Sequence, residues 1–255
     1  MSEPFKKSGA RDTFESLVVT VILAVFGTTF VLQAFKIPTG SMENTLLIGD
    51  HLLVNKFLFA IHDGWWSRLM PYRDIRRDDI VIFRFPYPSD QSQEPGEHLV
   101  KRVIGVPGDH IKLVNRQVFV NDKPVDEPFT FYGDPPNPSE PADDFPPADA
   151  VPASYMTDRW QAELPGRVQH GELVVPPGEY FVMGDNRESS WDSRFWGFVP
   201  RTQIVGTPLL IYWSYETPRG EYMQNTLGDR ISQTFDLVIH FFTKTRWRRS
   251  FHLVH

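Results

Sequence analysis

Residues 99–121 read LVKRVIGVPGDHIKLVNRQVFVN, and their punctuation decides what kind of fold the chain can form. Val, Ile and Phe fill short runs at 99–106, 111–114 and 118–120. Each run stops at turn formers: Pro107-Gly108-Asp109, Asn115-Arg116, then Asn121-Asp122. β-Branched and aromatic residues suit a pleated, half-buried surface, and turns this close join antiparallel neighbours. Working outward, similar runs stand at 52–57 and 80–85 upstream and at 173–175, 180–183 and 204–213 downstream. Pro176-Pro177-Gly178 separates the first two of the downstream set. The expected fold is mainly β, built on antiparallel sheet.

The ends of the chain differ. Residues 17–35 read LVVTVILAVFGTTFVLQAF, nineteen residues without a charge. As a helix they would measure roughly 28 Å, enough to cross a hydrocarbon core. Lys6, Lys7 and Arg11 precede the run and Lys36 follows it, so the positive-inside rule puts the N-terminus in the cytoplasm. A cleavable leader is the competing reading, but the run is long for one and Lys36-Ile37-Pro38 offers no small-x-small cleavage site. At the other end, Ile231, Phe235, Val238 and Phe242 recur at helical spacing, and Lys244, Arg246, Arg248 and Arg249 surround Trp247. An amphipathic helix on a membrane surface fits, and so does a helix that closes the β core.

Composition narrows the function. With 41% apolar and 23% charged residues over 255 positions, the chain is globular. A net charge of -6 speaks against a nucleic-acid surface. The absence of cysteine removes disulfides, thiolate catalysis and Cys-based zinc sites together. None of the eight histidines stands in a triad or metal-binding pattern, and no cofactor or metal is expected. Residues 134–152 hold seven prolines, and no Lys or Arg occurs from Pro124 to Asp158. Such a stretch reads as an exposed, partly extended insert, either a solvated loop or an interaction tail.

Three segments carry chemistry. In Pro38-Thr39-Gly40-Ser41-Met42 the glycine permits a bend that exposes the Ser41 hydroxyl, although a serine in a Gly/Pro turn is often only a turn residue. In Lys101-Arg102-Val103-Ile104-Gly105-Val106-Pro107-Gly108-Asp109, strand alternation puts Lys101 on the apolar face with Leu99 and Val103. Desolvation there lowers an amine from about 10.4, in extreme cases to roughly 5–6, so that it can act as a base near neutral pH. A lysine snorkelling at a sheet edge is the plainer alternative. Third comes Gly184-Asp185-Asn186-Arg187-Glu188-Ser189-Ser190-Trp191-Asp192-Ser193-Arg194, a polar loop that could equally be a buried network stiffening the core.

Together, in this order and after an apolar segment, the three resemble bacterial type I signal peptidase, also called leader peptidase, over residues 15–121 and 172–214. The resemblance implies a membrane-bound serine endopeptidase with a Ser-Lys dyad that removes signal peptides after small-x-small sites. Ser41 would be the nucleophile and Lys101 the general base, with Ser190 orienting the amine. Thr39 and the Ser41 N–H would form the oxyanion hole, Gly184 would leave room beside the lysine, and Asp192 with Arg194 would hold the site, supported by Asp185 and Arg187. Phe35, Ile37, Pro38, Met42, Leu99 and Val100 would wall the pockets for small side chains. The implied partners are signal peptides of exported preproteins, the lipid bilayer and the translocation machinery, with no nucleic acid.

The expected layout is a cytoplasmic tail at 1–14, a single transmembrane helix at 15–36, and a β catalytic domain at 37–121 and 172–228 on the extracytoplasmic side of the cell (inner) membrane. A Pro-rich insert or reduced second domain would occupy 122–171, and a basic amphipathic segment 229–255. Many relatives carry two spans and a larger second domain. A self-cleaving Ser-Lys repressor would need a DNA-binding helix-turn-helix where this chain has its apolar segment. A non-catalytic membrane-tethered β module would be expected to have lost Ser41, Lys101 or Ser190, and all three are present.

Overall fold

The computed structural model describes residues 9–59, 72–87, 98–132, 144–147, 156–218 and 226–254. Helix α1 (Gly9–Phe26) runs through a π-helical turn (Gly27–Val31) directly into strand β1 (Leu32–Lys36). Then come β2 (Asp50–Asn55), β3 (Ile80–Arg84), β4 (His98–Gly105), β5 (His110–Val114), β6 (Gln117–Val120) and β7 (Lys123–Pro124). Helix α2 (Asp158–Glu163) precedes β8 (Val168–Gln169), β9 (Glu172–Val174) and β10 (Glu179–Met183). Helix α3 (Ser193–Trp196), β11 (Val199–Pro200), β12 (Ile204–Ser214), α4 (Leu227–Lys244) and β13 (His252–Leu253) complete the order.

The strands form two sheets, and every ladder is antiparallel, as the runs and turns of the sequence require. The larger has the order β1-β2-β12-β3-β4-β10-β11, with β13 added on β12. The smaller has the order β7-β6-β5-β9-β8. Strand β12 joins two halves of the larger sheet: it pairs with β3 through Ile204 and Gly206, then with β2 from Thr207 to Ser214. The crossing requires Gly206, because a Cβ there would collide with the Asn55 carbonyl. Phe35 on edge strand β1 meets the His98 ring at the start of β4, with centroids 5.1 Å apart, so the sheet curls back on itself.

Two expectations are revised by the fold. The charge-free run at 17–35 is not one helix. Its last residues belong to β1, where five register pairs with β2 capture the chain. The helical part that precedes them takes in Arg11, Asp12 and Glu15, and no helix among the described residues is long and apolar enough to cross a membrane. The Pro-rich insert is likewise not simply exposed. Phe145, Met156, Trp160 and Leu164 are buried with Ile111, Leu113 and Leu173 of the smaller sheet and Phe181 of β10. A few large apolar groups, spaced too widely to register as periodicity, offset the ordering cost. The smaller sheet draws strands from both sides of residue 122, β5 and β6 before it and β7 to β9 after it. Residues 133–143 and 148–155, most of the proline-rich stretch, lie outside the described residues.

Candidate active site

Ser41 follows β1 by five residues. The chain leaves the strand at Lys36, passes through Pro38 and Gly40, and folds into a short turn in which Glu43 N–H bonds to Gly40 O and Leu46 N–H to Met42 O. Met42 and Leu46 anchor this turn in a core cluster with Leu52, Val54, Ile80 and Ile82. Lys101 sits in mid-β4 opposite Val81 of β3. Its side chain is buried, and Nζ and Ser41 Oγ are hydrogen-bonded at 2.6 Å. Burial lowers the amine's pKa to about 8, with Asp192 pulling it up, Arg194 pushing it down and Asp185 pulling it up. An amine so placed can remove a proton from a hydroxyl near neutral pH.

The loop between β10 and α3 forms the floor. Asp192, fully buried, accepts from Arg194 Nε and Nη2 at 2.9 Å each and from the Gly184 N–H at 3.1 Å. Burial pushes its carboxyl up, but Arg194, Lys101 and the Gly184 N–H outweigh that and hold it below the usual carboxylate range. Gly184 is tightly enclosed: a Cβ would collide with Ser190 Oγ and with the Ser41 carbonyl. Ser190 is buried beside that glycine, and its hydroxyl has no hydrogen-bond partner among the described residues. The bond expected from Ser190 to Lys101 is therefore not made here. Its rotamer turns Oγ toward Gly184, and the amine is engaged by Ser41 instead.

Asp185 and Arg187 belong to separate ion pairs. Asp185 receives Arg102 Nε at 2.8 Å and Nη2 at 2.7 Å in a bidentate pair, and the Thr45 hydroxyl at 2.5 Å. Arg187 donates to Glu127 at 2.5 and 3.2 Å and to Gly184 O at 3.1 Å. Asn186, to which the sequence reading assigns no role, donates its backbone N–H to Ser41 O at 3.1 Å and its amide to Gly40 O at 3.2 Å, fixing both carbonyls of the Ser41 turn. Glu127 and Phe131 were also missed. Phe131 bridges to Asn186, and Arg102 lies over the Phe129 ring at 3.8 Å. Only their distance in sequence hid them, since nothing local in 127–131 points to a loop some 55 residues on.

The expected pocket residues separate by burial. Ile37 and Met42 are 3% and 1% exposed and belong to the core under the turn. Phe35 and Val100 are half-buried over the same cluster, while Leu99 packs on the cluster of Val81 and Val103. Pro38 and Thr39 are half-buried at the turn. Neither the Thr39 hydroxyl nor the Ser41 N–H has a hydrogen-bond partner among the described residues. Those residues contain no group of three His, Cys, Asp or Glu arranged to hold a metal.

Comparison with known proteins places this arrangement in a class. Residues 10–213 match the family model described as signal peptidase, peptidase S26, and the chain belongs to that family of serine endopeptidases. It is 32% identical to a signal peptidase I of Pseudomonas fluorescens over 235 residues, covering 88% of this chain and 78% of that protein. It is 34% identical to a signal peptidase I of Bacillus caldolyticus over 225 residues, covering 85% and 97%. A probable signal peptidase I-2 of Synechocystis is 32% identical over 214 residues, covering 82% and 77%.

Proposed function

We propose that the enzyme cleaves signal peptides with a Ser41–Lys101 dyad, working at a membrane. The observation that carries this reading is the 2.6 Å contact between a serine hydroxyl and a buried lysine whose pKa has fallen to about 8. The neutral Lys101 amine takes the Ser41 proton as Oγ adds to the scissile carbonyl carbon. The resulting oxyanion is met by the free Thr39 hydroxyl and Ser41 N–H. Collapse breaks the C–N bond, and the departing amine of the mature protein takes the proton from Lys101. Lys101 then takes a proton from water as the water oxygen adds to the acyl-serine carbon. Collapse breaks the ester bond and returns that proton to Ser41 Oγ, and the released signal-peptide acid ionises to a carboxylate in water.

The substrate strand has a place to pair. Strand β10 covers β4 only from Arg102 onward, which leaves the backbone edge of 98–101 on that side without a strand neighbour among the described residues. An extended peptide adding there would align its carbonyls along the dyad. Phe35 and Val100 border that edge, and shallow apolar contacts of this kind favour small side chains. Attachment to the inner membrane is supported by α1, whose Phe14, Leu17, Val19, Ile22, Leu23 and Phe26 are all more than half exposed around the whole helix. From Leu17 to Phe26 the helix carries no charge and only Thr20 as a polar group, and such a stretch needs an apolar surrounding. On this reading α1 and the turn after it form a single anchor, with the β domain outside the cytoplasm.

The test is incubation of the detergent-solubilised protein with a preprotein bearing an Ala-x-Ala site. A single cut after that site is expected, and none from Ser41→Ala or Lys101→Arg, since a guanidinium stays protonated. Cleavage by the Lys101→Arg protein would refute the dyad.

A further inference from the structure

Helix α4 packs with its more apolar face outward. The face turned to the body is mixed: Leu237 lines a cleft there, and Asp236 accepts from the Tyr215 hydroxyl at 2.8 Å and from Lys244 at 2.6 Å. Phe241 alone adds a ring contact there, to Trp213 at 6.1 Å. The face turned outward carries Phe235, Val238, Ile239 and Phe242, between 63% and 78% exposed. Trp247, stacked on Phe242, and Phe251 extend the same apolar ground beyond the helix. A helix that turns Asp236 and Lys244, each only part-exposed, toward the body and offers phenylalanines to solvent leaves that outer face for something apolar.

We infer that the outward face of α4 lies in the headgroup region of an anionic bilayer, as a second attachment beside α1. Charge identifies the occupant. Within α4 the charges balance, but just beyond it Arg246, Arg248 and Arg249 follow one another with no carboxylate up to residue 255; Arg246 and Arg249 bond to the body, and Arg248 is left exposed. Asp236 is turned inward. Exposed Arg248 follows Trp247 at the rim, the arrangement an interfacial helix uses to meet lipid phosphates. Position agrees: Gln233, Thr234, Asp236 and Leu237 of α4 line a cleft with Lys36, the residue that ends β1 just beyond the proposed anchor.

The inference rests on the membrane reading above, and one experiment separates the two. The chain has no cysteine, so Val238→Cys and Leu23→Cys each give a unique fluorophore site in the full protein, reconstituted into phosphatidylcholine–phosphatidylglycerol vesicles. Expected is quenching of both labels by brominated lipids, with the label at 238 at the shallow depth of about 5–10 Å typical of interfacial helices. At 238, but not at 23, quenching should fall several-fold when phosphatidylglycerol is omitted. A label at 23 quenched by lipid while that at 238 stays open to aqueous iodide would overturn the α4 inference and leave the anchor standing. Both labels open to iodide would overturn the two together. A label at 238 shielded from iodide and from brominated lipid alike would mean a protein cover, and the inference would be wrong.

Discussion

Burial sets the working pH of Lys101. Its pKa of about 8 lies below the ordinary lysine value of 10.5, so the folded state holds fewer protons than the unfolded state between those limits. Stability therefore rises with pH across that window, and below it the fold bears the full cost of a desolvated amine. Lys101→Met should abolish cleavage and stabilise the protein at pH 7 by about 2–3 kcal/mol, with the gain fading toward pH 10.5; urea unfolding at pH 7 and pH 10 checks this. Activity of the unaltered enzyme should climb through about pH 8 as the amine loses its proton. Asp192 pulls that pKa up, so Asp192→Asn should move the climb to lower pH, read from kcat against pH. Thr39→Ala should cost roughly 10²–10³-fold in kcat with little change in KM, and Thr39→Ser should keep most activity. Single-turnover kinetics decide that point, and an unimpaired Thr39→Ala enzyme would remove the hydroxyl from the oxyanion hole.

Strands and loops distribute the remaining work. The β-runs could be read from their β-branched residues and turns, and Lys101 from its place on an apolar face. The pairings of the polar loop could not. Asp185 and Arg187 are two positions apart, yet one bonds to Arg102 of β4 and the other to Glu127, because backbone direction in a loop follows no period. Residues 127–131 were invisible as part of the site for the same reason: their bonds reach across the chain. The split of 17–35 between helix and strand was also hidden, since an apolar run suits either until a partner such as β2 fixes it. Arg187 and Glu127 are 1% and 7% exposed at the side chain. Removing one partner of a buried pair costs about 3–5 kcal/mol, so Glu127→Ala should destabilise by that order and lower kcat. Arg187→Met in the same chain should recover part of the stability. Denaturant unfolding of the single and double variants tests the pair, and an unaffected Glu127→Ala would mean that 127–131 does not brace the loop.

Across the whole molecule, the core clusters owe nothing to α1, which buries none of its described side chains. A chain starting at Leu32 keeps β1 and every ladder of the larger sheet. It should unfold at a midpoint unchanged within a few degrees and still cut a soluble peptide, while losing efficiency on vesicle-bound preprotein. Calorimetry and paired assays would measure this, and a large fall in the midpoint would mean that α1 is part of the folded body.

The last stretch of chain also has a consequence in time. Arg249 donates to the Thr45 carbonyl at 2.9 Å and to buried Asp50 at 2.7 Å, so the turn that holds Ser41 is clasped by a residue made long after it. The 204 positions between Thr45 and Arg249 take a ribosome about 10–40 s to traverse at ordinary speeds. Through that interval the Ser41 turn exists without its clasp, so it can take its final form only after residue 249 has been added.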